Sequence, residues 1–181
     1  SLQVAQAARN RGVRIWVETI PAYLVLDSSY AERPNFEGAK WVMSPPMRHR
    51  RNQEPLWNGF RTGIVTTVGT DHAPFDFVGQ KPRGRDDFTK IPKGVPSVEE
   101  RAKLLYTYGV RNERINLHQF VDVASTQAAK IFGLFPKKGT IQVGSDADLV
   151  VYNPDYRGSI SAKTHHMNVD YSGYEGFAVE G

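Results

Sequence analysis

The stretch Gly63–Phe75, G-I-V-T-T-V-G-T-D-H-A-P-F, constrains the fold of this chain more than any other. Ile64–Val68 is a β-branched run with the composition of a buried strand. Gly69 permits close backbone approach at the end of that strand, and Pro74 allows neither a helix nor a further sheet residue. Asp71 and His72 are therefore expected at the carboxyl end of a strand, where α/β barrels and open sheets carry their chemistry. An acid beside a histidine there is a candidate metal ligand or general base. The same pair also reads as an acid capping a loop above a packed histidine.

The flanking segments complete an α/β pattern. Leu2, Val4, Ala5 and Ala8 share one helical face, and Gly12 is a good helix stop. Val13–Glu18 alternates apolar and polar residues and reads as a strand, so helix, turn and strand follow in the order of a barrel or open-sheet repeat. Ala39–Met43 is predicted to be extended, and Glu54–Gly59 helical. Ser97 with Glu100 has capping-box spacing, which predicts a helix from about Val98 to Tyr108 that stops at Gly109. Asn116 with Gln119 repeats the signature, with Leu117, Phe120, Val121 and Ala124 facing inward, and Ser125–Phe132 is a further helix. From Lys137 the texture changes: K-K-G-T-I-Q-V-G-S-D-A-D-L-V-V reads as strand, turn, strand, in a sheet separate from the first part. The boundary near Lys137 divides residues 1–136 from 137–181.

Composition narrows the function classes. A chain of 181 residues with 40% hydrophobic and 23% charged residues is an ordinary globular sequence. It has no cysteine, so thiolate metal sites are excluded and any metal must use His, Asp or Glu. No apolar run is long enough to span a membrane, and no signal-peptide pattern opens the chain. The absence of cysteine fits a cytoplasmic protein. Net charge is +4, and the densest basic clusters are Arg48–Arg51 and Lys81–Arg85. Neither has the interleaved aromatic residues of a nucleic-acid module, and Asp86 and Asp87 follow the second directly. Both read as solvated loops. The opening L-Q-V-A-Q-A-A-R and the closing F-A-V look like those of a chain cut at both ends.

Other residues are candidates for a site. Glu18–Leu24, E-T-I-P-A-Y-L, begins where the first strand ends and either faces the Asp71 cleft or plugs the core with Tyr23 and Leu24. Val42–Met47, V-M-S-P-P-M, is a rigid segment in which two prolines hold Ser44 extended; it is either a recognition element for an amide or a structural corner. His49 lies among arginines, His118 in a first helical turn, and His165 and His166 are adjacent, so none is expected to be a ligand. No H-x-H, H-x-x-x-H or glycine-rich phosphate loop occurs. A catalytic zinc takes about three protein ligands, so Asp71 and His72 make up at most part of an active site.

Taken in order, these blocks resemble the carboxyl-terminal part of the dihydropyrimidinase and D-hydantoinase family, the cyclic-amidase branch of the amidohydrolase superfamily. The matching pieces are E-T-x-P-x-Y-L, V-M-S-P-P-M-R at Val42–Arg48, Gly63–Phe75, I-P-x-G at Ile91–Gly94 and V-E-E-R at Val98–Arg101. Further matches are A-A-K-I-F-G-L-F-P at Ala128–Pro136, K-G-T-I-x-V-G-S-D-A-D-L-V-V at Lys138–Val151 and I-S-A-K-T-H-H at Ile160–His166. The resemblance implies an α/β fold, a TIM-like (β/α)8 metal-dependent hydrolase barrel with a small β-sandwich. This chain would supply the last two barrel strands, their helices and the returning sandwich strands.

It further implies two divalent metal ions, usually Zn2+, bound by an H-x-H, a carbamylated lysine and two histidines that would all precede Ser1. Asp71 matches the last-strand aspartate that binds the more buried metal and shuttles a proton, and His72 takes a supporting role. Ser44 matches the serine whose main chain grips the cyclic imide, and Lys93 stands where the family has asparagine. Ile20 and Ala22 also depart from the family pattern. The implied partner is a small cyclic amide or imide substrate, with no nucleic acid and no membrane, in a homo-oligomer that is a tetramer in the family. The implied activity is ring opening of dihydropyrimidines or hydantoins to N-carbamoyl amino acids, as in pyrimidine degradation. The isolated chain is expected to be inactive and prone to association. The competing readings are a non-catalytic dihydropyrimidinase-related scaffold and an allantoinase or dihydroorotase.

Overall fold

In the computed structural model, which describes residues 1–181, helix α1 (Leu2–Asn10) leads into strand β1 (Glu18–Thr19), which runs parallel to β2 (Thr67–Val68). Glu18 pairs with Thr67 and Thr19 with Val68. Both strands are shorter than the sequence predicts. Thr66 explains where the ladder starts: its Oγ1 accepts from Val17 N at 3.1 Å and donates to Val17 O at 3.0 Å. The hydroxyl takes up the Val17 N–H one residue ahead of the pair, while Thr66 N still donates to Val17 O at 2.8 Å, and Val13 and Trp16 are left exposed. Gly12 does end the α1 turn, at φ +81. Arg9 then ties the helix to both strand approaches, donating to Ile15 O at 2.9 Å and Gly63 O at 2.7 Å.

Parallel neighbours require a long crossover. Here it contains helix α2 (Pro21–Val25), three short 3-10 turns and helix α3 (Gln53–Arg61). Pro21 opens α2 because its fixed φ suits the first helical position and its missing N–H costs no bond there. The predicted extension at Ala39–Met43 is corrected: Glu37–Trp41 is a 3-10 turn. Phe36 precedes it in the left-handed region at φ +68, and a Cβ on Gly38 would sit 2.1 Å from Ala31 O. A turn this tight excludes a strand, whatever the propensity of Trp41 and Val42.

Two apolar clusters form the core. One joins Leu24 and α3 (Trp57, Phe60) to Ile64, Val65, Val68, Leu105, Ile115 and Val123, packing the crossover against β2. The other gathers Ile20, Leu26, Trp41, Met43, Met47, Val95 and Leu104 with Ile160, Tyr174 and Val179 from the tail. The tail strands β3 (Arg157–Ser159) and β4 (Ala178–Glu180) form an antiparallel pair. They lie against helix α4 (Arg101–Leu105), which continues as a π-helical stretch over Tyr106–Arg111. Thr107 Oγ1 accepts from Glu180 N at 2.9 Å, and Tyr108 OH donates to Ala178 O at 3.2 Å.

The two capping signatures fare differently. Asn116 and Gln119 form a complete reciprocal box, at 2.8 and 3.0 Å, opening α5 (Leu117–Val121). A π-helical stretch, Asp122–Thr126, carries α5 into α6 (Gln127–Ile131), so the predicted separate helix is a continuation. The inward face also differs. Leu117 and Val121 are exposed and Val123 is buried, because Phe120 turns toward Tyr106 and Tyr152 at 5.8 and 5.9 Å between ring centroids. Ser97, by contrast, caps nothing: its Oγ donates to Thr70 O at 2.7 Å, and α4 starts later, at Arg101. The hydroxyl is drawn to the strand end, where a buried carbonyl needs a donor.

The predicted strands of 137–155 do not form. Asp146 N returns to Lys137 O at 2.8 Å in a turn, and Lys138 pairs with Asp146 and Asp148. Ile141, Val143, Leu149, Val150 and Val151 are exposed. β-branched composition makes a strand only where a neighbouring strand completes the ladder, and nothing else in the chain pairs with this segment. No helix is long and apolar enough to cross a membrane.

Glu100, at the start of α4, is buried with Oε2 lacking a hydrogen-bond partner. Burial, reinforced by Glu99, raises its pKa above the ordinary 4.5. As pH climbs past that value the unfolded chain ionises first, so stability falls until the folded carboxyl also titrates. Glu100→Gln is expected to raise the thermal midpoint at about pH 8 and to leave it nearly unchanged at about pH 4, a gain on the order of 1–3 kcal/mol. Melting curves at the two pH values check this, and equal shifts at both would refute it.

Candidate active site

Asp71 lies just past β2, exposed, with its backbone in the left-handed region at φ +48. That conformation is uncommon outside glycine, and Asp and Asn tolerate it best. The bonds that hold it come from its neighbours. Ser97 Oγ donates to Thr70 O, and His72 N donates to Thr70 Oγ1 at 3.3 Å. His72 Nδ1 accepts from Ser97 N at 3.1 Å and from Val98 N at 3.2 Å. Two amide donors on Nδ1 put the ring proton on Nε2 and occupy one of the two ligating nitrogens. Burial pushes the His72 pKa down, keeping the ring neutral. His72 therefore anchors the loop, while the Asp71 carboxylate is free of these bonds.

Glycine at position 69 has a specific partner. A Cβ there would meet the Glu18 carboxylate at 2.7 Å, and Thr67 Oγ1 donates to the same carboxylate at 3.2 Å. Arg101 secures the end of β2 from behind, donating to Val68 O at 3.0 Å and Ala124 O at 3.2 Å.

Three main-chain segments lie side by side here. His72 forms a parallel bridge with Val95, and Ala73 N reaches Val95 O at 3.4 Å. Gly94 N donates to Val42 O at 2.9 Å, and a Cβ on Gly94 would be 2.3 Å from Ala73 O, so only glycine admits the approach. The strand end with Asp71, the I-P-K-G segment with Lys93 and the V-M-S-P-P segment with Ser44 are thereby adjacent. Ser44 and Lys93 are both exposed, and the Ser44–Pro45 peptide is cis.

Tyr23 bonds to the third segment. Its OH donates to Pro45 O at 2.8 Å. Its pKa is raised by burial and then by the Asp71 carboxylate, with Arg48 opposing. Tyr23 is half-buried against the core cluster of Ile20, Leu26 and Trp41, and Leu24 is buried in the other cluster, so both side chains plug the core, as the structural reading of E-T-I-P-A-Y-L expects.

Lys81 is the residue that sequence reasoning missed. It belongs to a cluster predicted to be a solvated basic loop, and Arg83 and Arg85 are indeed exposed. Lys81 is fully buried, at 0% exposure, and its Nζ donates to Pro92 O at 2.7 Å, Gly94 O at 2.9 Å and Val42 O at 3.4 Å. Burial lowers its pKa to about 8. No local signal separates it from its neighbours, since the carbonyls it meets lie more than ten residues away on either side. His49 Nδ1 accepts from Arg51 N at 3.1 Å, His165 contacts Val169 O at 3.0 Å, His166 pairs with Glu99, and His118 is exposed.

A single carboxylate cannot hold a metal pair, and no cluster of three or more His, Cys, Asp or Glu side chains forms a metal site. A carboxylate such as that of Asp71 is a donor type that such a centre uses.

The chain is similar to hydantoinases and dihydropyrimidinases. It is 58% identical to a D-hydantoinase of Geobacillus stearothermophilus over 174 residues, covering 96% of this chain and 37% of that protein. It superposes on the crystal structure of dihydropyrimidinase from Brevibacillus agri NCHU1002 with a TM-score of 0.97 and 53% identity, covering 99% of this chain and 39% of that one. L-Hydantoinase (dihydropyrimidinase) from Arthrobacter aurescens matches with a TM-score of 0.87 and 31% identity, again over 99% of this chain and 39% of that one. The chain thus spans about two-fifths of the length of the relatives it matches. Its fold is the one the resemblance implied, part of a TIM-like metal-dependent hydrolase barrel with additional strands. Residues 24–172 match the profile of the Amidohydrolase family, and with most of its length in that match the chain belongs to the amidohydrolase family.

Proposed function

We propose that the protein carrying this chain is a cyclic amidohydrolase that opens dihydropyrimidine or 5-substituted hydantoin rings to N-carbamoyl amino acids. The observation that carries this reading is the adjacency of Asp71, Ser44 and Lys93 on three abutting segments of a hydantoinase-like fold. Asp71 is the ligand this chain contributes to a pair of divalent ions, here taken as Zn2+, whose other ligands lie on residues outside it. When bound, the ions acidify water and polarise the ring carbonyl. Asp71 takes the proton of the attacking water and returns it to the ring nitrogen as the C–N bond breaks. The main chain at Ser44 and Lys93 binds the imide edge of the ring.

In this reading residues 1–136 are the last strands and helices of the barrel, and residues 137–181 are the return of a small β-sandwich. The exposed row Ile141, Val143 and Leu149–Val151 packs in that sandwich. The assembly is a cytoplasmic homo-oligomer, a tetramer. The test uses the complete protein, assaying hydantoin and dihydrouracil turnover together with metal content. Turnover with bound zinc is expected, and the 181-residue chain alone should be inactive. A complete protein that folds yet turns over neither ring would leave the non-catalytic scaffold reading in its place.

Lys93 bears on substrate choice. Its side chain is exposed beside the ring-binding main chain and can pair with an acidic ring substituent. Lys93→Asn is expected to lower kcat/KM for carboxylated hydantoins about two- to fivefold relative to neutral ones, the range of an exposed ion pair. Identical selectivity in the two proteins would show that Lys93 serves solvent alone.

A further inference from the structure

We propose that Lys81 is a positioning residue, whose ammonium sets the spacing of the two main-chain segments that bear Ser44 and Lys93. The inference rests on the hydrolase reading above. Its geometry is that of a three-way tether. The ammonium donates to the carbonyls on both sides of Lys93, those of Pro92 at 2.7 Å and Gly94 at 2.9 Å. The same group reaches the carbonyl of Val42, two residues before Ser44, at 3.4 Å. The direct bond from Gly94 N to Val42 O, at 2.9 Å, completes the link. A lysine ammonium has three protons and no acceptor capacity, so three carbonyls saturate it.

Lys81 is also well placed to hold still. It opens the 3-10 turn Lys81–Gly84, whose Gly84 packs against Ile91 closely enough that a Cβ would lie 2.3 Å from Ile91 N. Its own N–H donates to Asp76 O at 3.1 Å, and its Nζ lies 5.7 Å from the centre of the Phe75 ring. The tether therefore runs from a segment that begins just after Asp71 to the two ring-binding segments. Tyr171 OH bonds Lys40 O at 3.0 Å and lies 3.5 Å from Gly94 O, bracing the same carbonyl from the tail. A buried charge surrounded only by main-chain acceptors is costly to place. It is expected where main-chain position, and not side-chain chemistry, must be held to fractions of an ångström.

The test compares the complete wild-type protein with Lys81→Met, which keeps the stem and removes the charge, and Lys81→Arg, which keeps the charge. Kinetics are measured on a five-membered hydantoin and on six-membered dihydrouracil, with metal content and thermal unfolding alongside. For Lys81→Met, KM is expected to rise about tenfold with kcat within about twofold and metal content unchanged, since the segments bind the ring and Asp71 is untouched. The rise should differ between the two rings, because altered spacing penalises one ring size more, and Lys81→Arg should recover part of it.

A folded Lys81→Met with wild-type KM on both rings overturns the proposal, as does a fall in kcat at constant KM. If Lys81→Met does not fold, Lys81→Gln, which keeps a hydrogen-bond donor and loses the charge and the third bond, decides: a raised KM with ring-size bias supports the role, and wild-type kinetics overturn it. A wild-type protein inactive on both rings overturns the hydrolase reading, and this inference with it.

Discussion

Asp71→Asn in the complete protein is expected to cut hydantoin turnover by about a thousandfold or more and to lower metal content. Losing a general acid–base group removes about 10²–10⁴ in rate, and losing part of a metal's ligand shell weakens binding further. Asparagine is the informative substitution because of the backbone. Asp71 sits at φ +48, and asparagine tolerates that region nearly as well as aspartate. Alanine would add strain of about 1 kcal/mol or more at a loop tied to Ser97 and His72, confounding chemistry with geometry. The side chain is exposed, so the thermal midpoint of the metal-free protein should move little. Turnover, metal analysis and melting on the same preparation decide the matter. Retention of activity within tenfold would remove Asp71 from the chemistry.

The second large effect concerns the fold that presents Asp71. Trp57 is fully buried at 0% exposure, donates from its indole N–H to Leu24 O at 3.3 Å, and meets Phe60 edge-on at 5.8 Å. It is the largest side chain in the cluster that packs α3 against Ile64, Val65 and Val68. Helix α4's continuation also closes on it, since a Cβ on Gly109 would stand 2.9 Å from the indole ring. Trp57→Ala leaves a cavity and an unpaired Leu24 carbonyl, for a loss of about 3–5 kcal/mol. At roughly 2–4 °C per kcal/mol for a domain of this size, the midpoint should fall by about 10 °C. Trp57→Phe should lose less than half as much. Calorimetry of the complete protein measures both, and a fall of under about 2 °C for the alanine variant would show that the cluster relaxes into the space.

Much of the site is legible in the amino-acid sequence. The β-branched run, the glycine and the proline around Asp71 and His72 place an acid at a strand end, and the structure puts it there, with the Glu18 carboxylate as the neighbour that position 69 must admit. Asn116 and Gln119 form the capping box their spacing announces. Ser97 and Glu100 have the same spacing and form none, because Thr70 O competes for the serine hydroxyl. A capping box is a local arrangement, and it survives only where no distant carbonyl offers the hydroxyl a better bond.

Local chemistry thus determined what could be decided within a few residues: where chain direction breaks, which turns need glycine, and which residue types stand at the end of β2. Order along the chain added the family. Tertiary structure decided everything that depends on a partner far away in sequence. Ile141–Val151 has the composition of strands and stays unpaired because no neighbouring strand lies beside it. Lys81 reads as one more solvated cation, and it is buried because Val42, Pro92 and Gly94 turn their carbonyls onto it. The reason is the same in both cases: propensity is a property of a residue, whereas pairing and burial belong to what folds against it.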